Sequence, residues 1–171
     1  NQAYLDSDID LEVRVVHVEQ VDYLTSNTNE MALKALATGS DPAFARVAAL
    51  RDQFGADLVS LMRPFDNKTQ QGCGIAYVTG SDGLPVSLFE DAAYSVVSDG
   101  ADGRFYCVDY TFAHELGHNM GLAHDRANSA GVTPSWPFAF GYGISGQFGT
   151  IMSYLRPIIG RFSNPDLICA G

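Results

Sequence analysis

The sequence predicts an α/β (α+β) fold in a single domain over residues 1–171. Short apolar strand patterns alternate with helical ones, turn residues punctuate them, and from residue 125 onward a Gly-, Pro- and Ser-rich stretch shows no long period. A hydrophobic content of 46% in 171 residues is enough to bury a core and excludes a disordered chain. No apolar run approaches the roughly 20 residues that span a bilayer.

The elements follow in order. IDLEVRVVHV (9–18) alternates and then runs apolar, which predicts a strand entering a sheet. Asp6, Asp8, Asp10 and Glu12 would share one solvated face of it; a calcium loop of that spacing needs a glycine that is absent. NTNEMALKALATG (27–39) predicts a short helix ending at Gly39. DPAFARVAALRDQFG (41–55) predicts a second, with Asp41 as cap, Pro42 in the first turn and Gly55 closing it. Buried strands are predicted at 57–62, 74–78 and 94–97, then a helix from about Asp109 to Gly121.

That last helix carries the chemistry. HELGHNMGLAHD (114–125) holds three of the four histidines. Residues four apart share a helix face, so His114 and His118 can present two imidazoles to one ion. Gly121 can adopt a positive φ, ending the helix and turning the chain back, so that His124 becomes a third nitrogen ligand. Three protein ligands leave a zinc position open for water, the pattern of a catalytic site. Glu115 stands beside the first ligand, suited to take a proton from a zinc-bound water as it attacks a carbonyl. Six fixed positions make a chance match on the order of 10⁻⁶ in a chain of this length. The residues thus point to zinc-dependent hydrolysis of peptide bonds.

This stretch resembles the metzincin zinc endopeptidases, most closely the adamalysin/reprolysin branch and its bacterial secreted relatives. TIMSY (150–154) matches their methionine turn, and GADLVSL, CGIAYV, YSVV and RFSNPD extend the resemblance over most of the chain. The resemblance implies a mixed twisted sheet with an antiparallel edge strand, an active-site helix in an upper part (1–121), and a smaller irregular lower part (122–171). It implies zinc on His114, His118 and His124, Glu115 as the base, Met152 as an apolar floor and Asp125 as a structural hydrogen-bonding residue. Gly74, Ile75, Ala76 and Tyr77 would form the edge strand that binds substrate backbone. Tyr154 is either a transition-state donor or zinc ligand, as in astacin-like and serralysin-like members, or a tyrosine hydrogen-bonded for structure. NQAY looks like the tail of the family's first long helix, and no C-terminal helix is evident after Pro165; the resemblance implies that the first strand, most of that helix and the last helix lie outside this sequence, which is then either a trimmed core or a stretch of a longer chain.

Other candidates are weighed more briefly. His17, on the first predicted strand, is read as structural. Asp99 and Asp102 in SDGADG form a polar turn, with a calcium site as the alternative. Arg156 and Arg161 follow the methionine turn, where metzincins build a specificity-pocket wall; surface residues are the default, and an arginine in that wall would favour acidic side chains. Cys73 and Cys107 are expected to pair, leaving Cys169 alone; the rival Cys73–Cys169 bridge resembles the reprolysin arrangement. A net charge of −10 disfavours nucleic acid and anionic membranes. The expected protein is a secreted, extracellular monomer acting on proteins or peptides. A silent zinc-binding module is the rival class, and retention of Glu115 argues against it.

Overall fold

The computed structural model describes residues 1–23 and 26–167. Helix α1 (Gln2–Asp6) opens the chain, followed by α2 (Asn29–Thr38), a 3₁₀ turn (Pro42–Phe44) and α3 (Val47–Phe54). Strands β1 (Val59–Pro64), β2 (Gly74–Ala76) and β3 (Tyr94–Asp99) form the main sheet, in the order β1-β3-β2. Strand β1 runs parallel to β3 and β2 antiparallel, so the sheet is mixed and β2 is an antiparallel edge. Two 3₁₀ segments (Ser81–Gly83 and Val86–Ala92) bridge β2 to β3. A hairpin, β4 (Ala101–Asp102) and β5 (Phe105–Tyr106), leads to helix α4 (Thr111–Asn119). The remainder is irregular apart from a hairpin of β6 (Gly143–Ile144) and β7 (Phe148–Gly149).

Local chemistry explains the helices. Thr28 caps α2 by accepting the Met31 N–H, and Gly39 ends it in the left-handed region. Asp41 accepts the Ala43 N–H. The predicted helix 41–55 is nevertheless two pieces: the tighter 3₁₀ turn sends Phe44 into the core, whereas α3 runs over the surface with no fully buried residue. Ala32, Leu33 and Leu36 of α2 pack with Phe44 on Leu61, Tyr94 and Val96 of the sheet.

The strand predicted at 9–18 does not form. Residues 9–23 carry no regular secondary structure and belong to no ladder, and Val15 and Val18 are 73% and 81% exposed. Among the described residues the Asn1 side chain imitates a strand partner, accepting the Val13 N–H and donating to its carbonyl. Asp6 lies in α1 and Asp8 has a φ of 53°, so the four acidic residues share no strand face. Strand β1 begins two residues later than predicted and is only half covered, because it is the other edge of the sheet; Leu61 and Arg63 alone are buried. Arg63 there donates to the side-chain oxygens of Asn27 and Asn29.

A second core lies under α4, where Tyr4 of α1 stacks on Phe162 beside Ile151 and Met152. Ser7 Oγ accepts the Phe162 N–H, and Asn164 donates to the Ser7 carbonyl, fastening the C-terminal stretch to α1. Cys73 and Cys107 are disulfide-bonded, with Cα atoms 5.4 Å apart. Cys169, the partner in the rival pairing, lies outside the described residues.

Candidate metal centre

Helix α4 presents His114 and His118 one turn apart. Beyond Met120 the chain reverses at Gly121, whose φ is +86°. A side chain at that position would also collide with Ser135 Oγ, so glycine is required twice. The reversal returns His124 to the helix: its Nε2 lies 3.1 Å from Nε2 of His114 and 3.1 Å from Nε2 of His118.

The outer nitrogens fix what the inner ones can do. His114 Nδ1 donates to the Ile151 carbonyl at 2.7 Å, and His118 Nδ1 to the Leu122 carbonyl at 2.9 Å. Carbonyls only accept, so both rings carry their proton on Nδ1 and turn an Nε2 lone pair inward. His124 makes a backbone hydrogen bond to Asn128. Facing lone pairs at 3.1 Å repel unless a cation sits among them. Around one zinc at ~2.0–2.1 Å, tetrahedral nitrogens stand roughly 3.3 Å apart, so the donor set fits that ion. Burial pushes His114 down to about 4 and His118 to about 3, and lowers His124 as well. The imidazoles therefore stay neutral, as ligands must. Among the described residues these three form the one cluster of three or more potential ligand side chains.

Glu115 is buried on the same helix, and burial raises its pKa to about 8. It abuts the edge strand so closely that a Cβ on Gly74 would stand 2.5 Å from its Oε1. A cavity of about 210 Å³ is lined by the three histidines, Glu115, Tyr154 and the strand residues Gly74, Ile75 and Ala76. Tyr77 is not in that lining: its N–H bonds the Tyr94 carbonyl and its own carbonyl accepts from Asn119. Ser98 N–H bonds the Cys73 carbonyl, so by antiparallel alternation Gly74 and Ala76 turn their N–H and C=O away from β3, toward the open edge.

Met152 is fully buried beneath α4, its Sδ 2.6 Å from where a Cβ of Gly117 would be. Asp125 accepts from Asn128 Nδ2, Ser153 Oγ and the Tyr154 N–H. Burial opposes ionisation of Asp125, but these donors outweigh it and hold the pKa below the usual carboxylate value. Tyr154 places its hydroxyl 3.0 Å from His124 Nε2, and burial raises its pKa.

The lesser candidates lie elsewhere. His17 stacks on Phe54 at 4.2 Å. Asp102 accepts the Asn67 N–H, and Asp99 ends β3. Asn119 had no signal in the sequence motif, yet its buried amide holds the Tyr77 and Tyr94 carbonyls together where β2 leaves the sheet. The Ile151 and Leu122 carbonyls that orient the histidines are backbone atoms, and no residue type announces them.

Comparison with known proteins is consistent with this geometry. The family model described as metallo-peptidase family M12B, reprolysin-like, matches residues 1–166. The chain is 35% identical over 196 residues to a peptidyl-Asp metalloendopeptidase of Pseudomonas aeruginosa, covering 99% of this chain and 30% of that protein. It is 26% identical over 171 residues to a protein of the same name from Xanthomonas campestris, covering 98% and 37%. A third, from Stenotrophomonas maltophilia, is 27% identical over 177 residues, covering 98% and 38%. The chain thus spans about a third of the length of these curated relatives. No solved structure matches it significantly.

Proposed function

The chain belongs to the reprolysin-like M12B metallopeptidase family, and on that premise we propose that it is a secreted zinc endopeptidase cutting polypeptides beside acidic residues. The observation that carries the reading is the meeting of three imidazole Nε2 atoms next to a buried glutamate in one cavity. His114, His118 and His124 would hold the zinc. When bound, zinc supplies a Lewis acid that polarises a carbonyl and makes water nucleophilic near neutral pH.

The residues of the chain do the rest. Glu115 takes a proton from the attacking water and delivers it to the leaving amine. The free edge of β2 receives an extended peptide as a further strand, through the outward groups of Gly74 and Ala76. Tyr154, close to His124, is a hydrogen-bond donor for negative charge developing on the carbonyl oxygen. Asp125 and Met152 keep the histidine loop in register from below.

The substrate class follows the relatives named peptidyl-Asp metalloendopeptidases. The Cys73–Cys107 bridge supports an oxidising, extracellular location, and no helix among the described residues is long and apolar enough to cross a membrane. The protein is proposed to act as a monomer without a nucleic-acid or membrane partner, its net charge of −10 repelling both surfaces. Calcium at Asp99 and Asp102 remains the alternative to a plain turn; activity after calcium-specific chelation distinguishes the two.

Digestion of a peptide library with and without a zinc chelator, read by mass spectrometry, tests the reading. Chelator-sensitive cleavage next to aspartate is expected; a zinc-loaded protein that cuts no peptide would instead mark the silent zinc-binding module.

A further inference from the structure

A second cavity, of about 280 Å³, lies beside the histidine cluster, between the segment leading into α4 and the chain after Met152. Val108, Asp109 and Tyr110 form one wall, Arg156 and Ile158 the other. Its distance from the cluster is short. Tyr110 accepts the His114 N–H, so it sits one turn up α4, about 6 Å along the axis. On the other side, Tyr154, which lines the first cavity and whose hydroxyl lies 3.0 Å from His124 Nε2, precedes Arg156 of the second by two residues.

An acidic substrate side chain needs a local cation here, because the chain as a whole carries a net charge of −10 and repels it. Arg63 is buried against Asn27 and Asn29, Arg51 holds the Ala56 carbonyl, Arg126 binds the Pro137 carbonyl and covers Phe140, and Arg104 lies over Phe105. Arg161 is outside both cavity linings. Arg156 is exposed, lines the second cavity, and has no hydrogen-bond or ion-pair partner among the described residues.

Building on the acidic specificity proposed above, we propose that Arg156 reads it: its guanidinium pairs bidentately with the carboxylate of a substrate aspartate seated in the cavity beside His114. The guanidinium fork matches a carboxylate edge on, and the space suits one side chain. Val108 and Ile158 shield the pair, which strengthens it relative to an ion pair in open water. Asp109, the one acid in the lining, opposes the incoming carboxylate and so lowers the net gain from the pairing.

The test uses two peptides that differ only in carrying Asp or Asn beside the cleaved bond. The zinc-loaded protein is expected to favour the Asp peptide in kcat/KM by about 10–100-fold. Arg156→Gln should abolish that ratio while cutting the Asn peptide at close to the parent rate, and Asp109→Asn should raise the ratio. In parallel, Kd for both peptides is measured on zinc-loaded Glu115→Gln protein, with and without Arg156→Gln. This binding arm needs no turnover: if neither peptide is cleaved, the endopeptidase reading fails, while loss of the Asp/Asn affinity ratio in Arg156→Gln still upholds the assignment. An Asp preference that survives Arg156→Gln, an absent preference in the parent, or a preference lost in Arg161→Gln instead, would each overturn it.

Discussion

The carboxylate of Asp125 accepts the Tyr154 backbone N–H at 3.0 Å, so the residue following His124 fixes the tyrosine whose hydroxyl reaches that same histidine. The two residues are 29 apart in sequence, and Ser153 Oγ donates to the same carboxylate. Asp125→Ala would orphan these donors and is expected to cost roughly 2–3 kcal/mol of stability. Tyr154→Phe leaves the brace intact. It should keep zinc and KM but lower kcat by about 10²-fold if the hydroxyl serves the transition state. Unchanged kcat in Tyr154→Phe would return the tyrosine to a purely structural role.

The proposed role of Glu115 predicts that it is separable from metal binding. Glu115→Ala should abolish proteolysis with zinc still near one per chain, while His118→Ala loses both. Gly74→Ala should mimic the former, because its Cβ would displace the Glu115 carboxylate. Metal analysis with a casein assay decides; a fully active Gly74→Ala protein would show that Glu115 need not stay where it lies.

Ala76 faces the open edge of β2 with its N–H. Proline there removes one bond to a docked peptide and none to β3. A fall of about tenfold in kcat/KM at unchanged zinc content is expected for Ala76→Pro. A folded variant with the parent rate would mean that substrate backbone does not pair at this edge.

The metal-free protein should be most stable near pH 6.5 as far as these buried groups set the profile. Burial holds His114 and His118 at about 4 and 3 when folded, against 6.5 for a free histidine side chain. Below 6.5 the unfolded chain therefore binds more protons, and acidification favours it. Glu115 has the opposite sign: its folded value of about 8 against 4.5 means stability is lost as pH rises through that window. Two histidines outweigh one glutamate below 6.5, and above it the glutamate acts alone. Urea midpoints at about pH 5, 6.5 and 8 on chelator-treated protein should trace this dome, and Glu115→Gln should flatten its alkaline side. An alkaline fall that persists undiminished in Glu115→Gln would assign it to other groups.

What the sequence made legible was local. The i, i+4 histidines, the Asp41 and glycine caps and the reversal at Gly121 each depend on neighbours within a few residues. The unformed strand at 9–18 shows the limit: alternation marks which side chains could face a core, but a strand exists only beside a partner, and Val15 and Val18 find none. Likewise Phe44 leaves the helix pattern for a core whose other buried members belong to α2 and the sheet, not to its own segment. Arg156 and Arg161 looked equivalent in the sequence, and only the cavity tells them apart. Asn119 and the carbonyls of Ile151 and Leu122 went unseen because their roles are defined by position in space.

The Cys73–Cys107 bridge encloses the exposed segment from Ser81 to Ala92, where Leu84, Val86 and Leu88 lie open to solvent. For an endopeptidase, such a segment is a target for autolysis. A cut anywhere between the two cysteines leaves both fragments covalently joined, with β2 still held next to the start of α4. Nicked molecules should therefore migrate as one species until reduced, and the proposed endopeptidase would be protected against the loss of its own edge strand by cleavage in this exposed segment.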